Sequence, residues 1–154
     1  MFYFVLAAVL IIIAFFAVSA LLFFKLSAEA DKAWKRLLEQ YAEAERLAGE
    51  IITEAGSGAY DFGMLKELTA AKKLAVKSKK RPGNAVKAHR RLFDAVHGFY
   101  TIGFNQGTPK NEKIGGLIEE TFRLEEKTEE CLRVYNDASG KYNKAAGVLR
   151  RKGR

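Results

Sequence analysis

The chain opens with MFYFVLAAVLIIIAFFAVSALLFF, and no charged residue appears before Lys25. A helix rises about 1.5 Å per residue, so the stretch from Phe2 to Phe24 extends roughly 35 Å and can cross a hydrocarbon core of about 30 Å. A cleaved secretory signal would need a basic leader, a shorter apolar run and small residues at its end. No Lys or Arg precedes this run, and Leu21, Leu22, Phe23 and Phe24 close it. The expectation is a retained transmembrane helix over residues 1–24 and a folded domain over residues 25–154. Lys25, Lys32, Lys35 and Arg36 follow the run, whereas nothing basic precedes it. Lys and Arg are held on the cytoplasmic side of a span, so the N-terminus is expected outside and the domain in the cytoplasm.

After the span, Ala30, Trp34, Leu37, Tyr41, Ala44, Ala48 and Ile51 step by 4 and 3 in alternation. That is an apolar heptad seam, and it continues the span as one long helix. AGSG at residues 55–58 favours its end. A second helix is expected from about Asp61, a capping residue, with Met64, Leu65, Leu68, Ala71 and Ala75 on one side. KSKKRPGN breaks it, with Pro82 and Gly83 forming a turn. Asn84 is expected to cap a third helix that buries Val86, Leu92, Phe93, Val96 and Phe99. GFNQGTPKN, residues 103–111, reads as the longest loop. In a last helix Leu117, Thr121, Leu124, Thr128, Cys131, Tyr135, Ala138, Tyr142, Ala145 and Leu149 repeat the same heptad spacing. Its glycines at 115, 116, 140 and 147 each cost about 1 kcal/mol relative to Ala. No segment alternates as a strand does. The expected class is all-α: an N-terminal transmembrane helix continuing into an antiparallel up-down four-helix bundle.

Chemistry-bearing patterns are sparse. An inward Glu-x-x-His metal motif is not met, because Val86 and Asp94 stand three residues before His89 and His97. Each histidine reads as a partly buried structural residue, and no metal or other cofactor is expected. Cys131, the sole cysteine, forms no internal disulfide and, at a seam position, reads as an inert buried thiol. Neither GxxxxGK[ST] nor GxGxxG occurs, so nucleotide binding has no motif behind it. The acidic stretch EEKTEE, residues 125–130, reads as a solvated outer face, with docking of a basic partner helix as the alternative.

The formal net charge is +8, all of it after the span. In an up-down bundle the turn KSKKRPG and the tail RRKGR both face the bilayer. Lys77, Lys79, Lys80 and Arg81, with Arg150, Arg151 and Lys152, then join the residues after the span in a basic collar. Each such charge contributes about 1 kcal/mol near an anionic leaflet. A solvated, solubilising role is the competing reading. No nucleic-acid reader motif accompanies the charge, so nucleic acid is not an expected partner.

YNDASGKYN, residues 135–143, repeats a Tyr-Asn pair seven residues apart, two helical turns. Tyr135 and Tyr142 therefore occupy equivalent seam positions where each ring is buried while its hydroxyl reaches a polar partner. Asn136 and Asn143 flank the seam and are placed to bond to a neighbouring helix. This repeat resembles the paired YN dipeptides of the LemA family, bacterial proteins with an N-terminal membrane helix and a long helical bundle. Ala33-Trp34 resembles the family's AW pair. Leu47 and Ile51 fall at the flanks of its DLIPNLV-like stretch, LTAAKK is similar to its VTxAR segment, and RLFDAVHGFY to RLLAVAEAYP. The resemblance covers nearly the whole chain. Gly49 and Tyr100 replace family prolines, and Glu43 and Ala44 replace a basic pair. Glu125 matches an acidic family position, Leu124 stands in place of threonine, and RRKGR is not followed by the family's Phe-Pro segment.

The resemblance implies a membrane-anchored bundle without a catalytic activity that maps onto residues. The expectation is a non-enzymatic scaffold or protein-interaction module at a bacterial membrane, with an unidentified protein partner, contact with membrane lipid and self-association open. The alternative is an anionic-lipid-binding or membrane-shaping protein acting through the basic collar.

Overall fold

Alanines, leucines and long charged side chains dominate the residues after Phe24, and they support long helices because they lose little freedom in one. The computed structural model describes residues 2–56, 58, 60, 62–104 and 111–152, the side chains of 2, 5, 103, 104 and 148–152 excepted. Its elements are α1 (Phe2–Gly56), α2 (Phe62–Lys77), α3 (Pro82–Gly98), a π-helical turn (Phe99–Phe104) and α4 (Glu112–Lys152). No strand occurs among the described residues. The fold is all-α, as the periodicity requires.

The chain divides into two compact units, one of Met1–Arg36 with Cys131–Arg154 and the other of Leu37–Glu130. In the first, the apolar residues of α1 from Tyr3 to Phe24 lie largely in the open, with Phe24 70% exposed. This part of α1 is long and apolar enough to cross a bilayer, and none of its most apolar window is buried within the protein. Residues of α4 pair with α1 in antiparallel order: Tyr135 meets Trp34, and Tyr142 meets Phe23.

The second unit holds the core. α1 supplies Leu37, Tyr41, Leu47, Ala48 and Ile51, α2 supplies Leu68, Ala71 and Ala75, and α3 supplies Leu92, Phe93 and Val96. Phe99 of the π turn and Ile114, Leu117, Ile118 and Leu124 of α4 complete it. The inward seams of α1, α2 and α4 are those expected from the heptads. On α3 the buried face differs: Val86 is only half-buried, while Ala85, Ala88 and His89 are sealed in. Small alanines let α3 approach closely, and His89 is accommodated because its polar atoms are satisfied.

The ends differ from expectation in instructive ways. Arg81, not Asn84, is the N-cap of α3, with extended φ −126° and ψ 118°, and Pro82 is the first helical residue. Proline fits there because its missing N–H would be unpaired anyway. The Arg81 carbonyl accepts from the backbone N–H groups of Asn84 at 3.0 Å and Ala85 at 2.9 Å. Gly83 and Asn84 are therefore helical residues, not a turn and a cap. At the other end α3 runs on into the π turn, so 103 and 104 are helical where a loop was expected. The widened turn sets Phe99 into the core beside Tyr60, ring centroids 5.7 Å apart, and Tyr100 edge-on to Phe122 at 5.6 Å. The rest of that loop, 105–110, and the proposed cap Asp61 lie outside the described residues. α4 has a cap that the pattern did not single out: Asn111 Oδ1 accepts from the backbone N–H of Lys113 at 3.0 Å. Gly115, Gly116, Gly140 and Gly147 do not interrupt α4.

Candidate functional site

In the first unit the family-like residues form an aromatic seam. The rings of Trp34 and Tyr135 lie 5.1 Å apart and those of Phe23 and Tyr142 5.0 Å apart, within the range of favourable ring pairs. Both tyrosines are half-buried. Asn136 and Asn143 are exposed, and among the described residues neither side chain bonds to a neighbouring helix. The first residue after each tyrosine is turned about 100° from it on a helix, which carries it off the seam and into solvent. Asp137 and Lys141, one turn apart, form an ion pair at 2.7 Å. The carboxylate hydrogen bond is the chief cause that raises the Lys141 ammonium above its ordinary pKa. Cys131 is half-buried on the same helix.

In the second unit a buried polar cluster joins three segments. His89 is completely buried and its ring stacks on Tyr41 at 3.8 Å and 10°. Its Nδ1 donates to the Ala85 carbonyl at 2.8 Å, and its Nε2 lies 3.0 Å from Oε1 of Glu45, itself only 8% exposed. A carbonyl can only accept, so Nδ1 carries a hydrogen. Oε2 of Glu45 takes an ion pair from Lys79 at 2.7 Å. Burial pushes the Tyr41 phenol up to about 12, an effect that the nearby charge of Arg90 opposes. His89 is thus a fully buried member of a satisfied network, where partial burial was expected. The signal available in sequence was the 4, 3, 4 stepping of Ala85, His89, Leu92 and Val96, which puts the histidine on the inward face of α3.

His97 is exposed instead. Its Nε2 pairs with Glu125 at 2.7 Å, and its ring stacks on Phe122 at 4.2 Å. Glu125 is consequently drawn inward from the acidic stretch, while Glu126, Glu129 and Glu130 stay exposed and Thr128 is buried. A cleft of about 560 Å³ between α1 and α4 is lined by Gln40, Glu43, Glu119, Glu120, Arg123 and Lys127. Beside it Arg46 bonds to Glu43 at 2.7 Å and to Glu50. That bond is the leading cause that lowers the Glu43 carboxyl and raises the Arg46 guanidinium. Acids and bases interleave here, so the cleft presents no single sign of charge.

Of the expected collar, Lys77, Lys80 and Arg81 are exposed around the α2–α3 turn, and Lys79 is engaged by Glu45. The side chains of Arg150, Arg151 and Lys152 lie outside the described residues, as does that of Phe2. Among the described residues no group of three or more His, Cys, Asp or Glu side chains is arranged to hold a metal ion. No family model matches the chain, and no curated protein or solved structure matches it either.

Proposed function

We propose that the chain is a non-enzymatic scaffold or protein-interaction module, anchored in a bacterial membrane by a single pass, with its N-terminus outside and its helical domain in the cytoplasm. The observation that carries the reading is the contrast within α1. Tyr3, Phe4 and most of the apolar side chains from Leu6 to Phe24 are exposed, whereas Leu37, Leu47 and Ile51 further along are fully buried. An apolar surface of that extent and length fits a lipid surround. The LemA-like order of Ala33-Trp34, LTAAKK and YNDASGKYN supports the bundle's kinship, and the bases after the span support its orientation. The experiment is photocrosslinking from the outer faces of α2 and α4 in native membranes, followed by identification of the captured proteins. Recurrent capture of specific proteins is expected; capture of lipid alone would overturn the scaffold reading in favour of lipid-surface binding. That second reading draws on Lys77, Lys80 and Arg81, while the Glu45 ion pair takes Lys79 from it.

A further inference from the structure

α2 buries one face in the core and leaves another face, of mixed apolar and basic residues, open. Met64, Leu68, Ala71 and Ala75 face inward. Phe62, Lys66, Thr69, Lys73 and Val76 also step 4, 3, 4, 3, and they form a second stripe on which Phe62 is 80% and Val76 49% exposed. Beside this stripe α1 and α2 enclose a groove of about 360 Å³ lined by Gly49, Ile52, Thr53, Lys72 and Lys77 together with residues of the stripe. The hydroxyls of Thr53 and Thr69 donate back to the carbonyls of Gly49 at 2.9 Å and Leu65 at 2.7 Å, so their protons are held within their own helices and only the oxygens remain as acceptors. Ile52 and Val76, with the threonine methyl groups, give the groove its apolar surface. At its edge the Lys72 ammonium lies over Gly49, in the space that a Cβ would take. Gly49, lacking a side chain, thus makes room for a cation. Among the described residues no acid pairs with Lys72, Lys73 or Lys77.

The geometry points to an acidic amphipathic helix of a partner protein as the occupant of this groove. Heptad spacing matches the ridge of a helix, which lipid chains do not require. The apolar positions receive its leucines, and the lysine stems lie along it while their ammonium groups meet its carboxylates. The inference rests on the scaffold reading and gives it a partner of stated chemistry.

The test uses the full chain in nanodiscs of neutral phosphatidylcholine. The probe is a fluorescent heptad peptide with leucine at the seam and glutamate at the flanking positions, titrated by anisotropy. Saturable binding is expected, weakened by about tenfold or more in the combined Lys72→Gln, Lys73→Gln, Lys77→Gln variant, since three exposed charge pairs are lost. All three side chains reach solvent, and unchanged circular dichroism shows that the variant is folded. A matching peptide with lysine at the flanking positions should not bind. No binding, equal binding by the two peptides, an unaffected variant, or loss of binding when phosphatidylserine is added to the nanodisc would each overturn the proposal. Proteins crosslinked in membranes equally well by the variant would leave the scaffold reading standing and remove only this groove.

Discussion

His89 shows how much one buried residue can commit its surroundings. Its ring needs Tyr41 on one face and Glu45 at its edge, and Glu45 in turn needs Lys79. Truncating either member of the Glu45–His89 pair leaves a buried polar group unmatched, so Glu45→Ala and His89→Ala should each destabilise by about 3 kcal/mol. The double variant should cost less than the sum by about 1 kcal/mol or more, measured as a double-mutant cycle in denaturant. Strict additivity would mean that the pair is not coupled. Tyr41 supplies a pH signature. With its phenol raised to about 12 from an ordinary 10, the folded state holds the proton more tightly than the unfolded state. That contribution is complete below pH 10 and is lost as pH rises from 10 to 12. Stability should fall across this window, and Tyr41→Phe should fall less steeply. At Tyr142 the ring matters more than the hydroxyl, because the recorded contact is with Phe23 and no hydrogen bond accompanies it among the described residues. Tyr142→Phe should be within about 0.5 kcal/mol of the parent, whereas Tyr142→Ala should cost about 1–3 kcal/mol by thermal melting in detergent.

The helices were largely legible because their seams repeat without a slip: Leu37, Tyr41, Ala44, Ala48 and Ile51 of α1 are all buried where the spacing puts them. The same holds for Leu117, Thr121, Leu124 and Thr128 of α4. Helix ends were less legible, since a cap depends on backbone angles that several residue types can supply. Asn84 has the side chain of a cap, yet Pro82 sets the helical φ two residues earlier and passes the capping place to Arg81. The π turn at Phe99–Phe104 has no sequence rule of its own and follows from packing Phe99 and Tyr100 on different neighbours. The site was legible as an aromatic seam but not as a polar cluster, because Glu45 and His89 are forty-four positions apart and only tertiary packing joins them. Within α1, Gly49 is a weak point with a use. A Cβ there meets only the mobile end of Lys72, so Gly49→Ala should raise stability by up to about 1 kcal/mol through helix propensity while displacing that ammonium. A loss of stability would show that the Lys72 position itself holds the two helices together.

For the whole molecule, the exposed apolar stretch of α1 and the bases that follow it predict a fixed topology. A reporter that is active only in the cytoplasm should function when fused after the C-terminus, and one that requires export should stay silent. Moving the cluster Lys25, Lys32, Lys35 and Arg36 to precede the span should reverse both signals. The aromatic seam has a further consequence, in the order of events during synthesis. Phe23 and Tyr142 are separated by 119 positions (142 minus 23). At about 5–20 residues per second, Tyr142 is made roughly 6–24 s after Phe23. During that interval the end of the first helix has no Tyr142 to pack against, and its aromatic ring is left to whatever surrounds the emerging chain. The pairing of Tyr142 with the first helix is therefore a late step relative to the making of that helix, taken only after the 119 positions from Phe23 to Tyr142 have been translated.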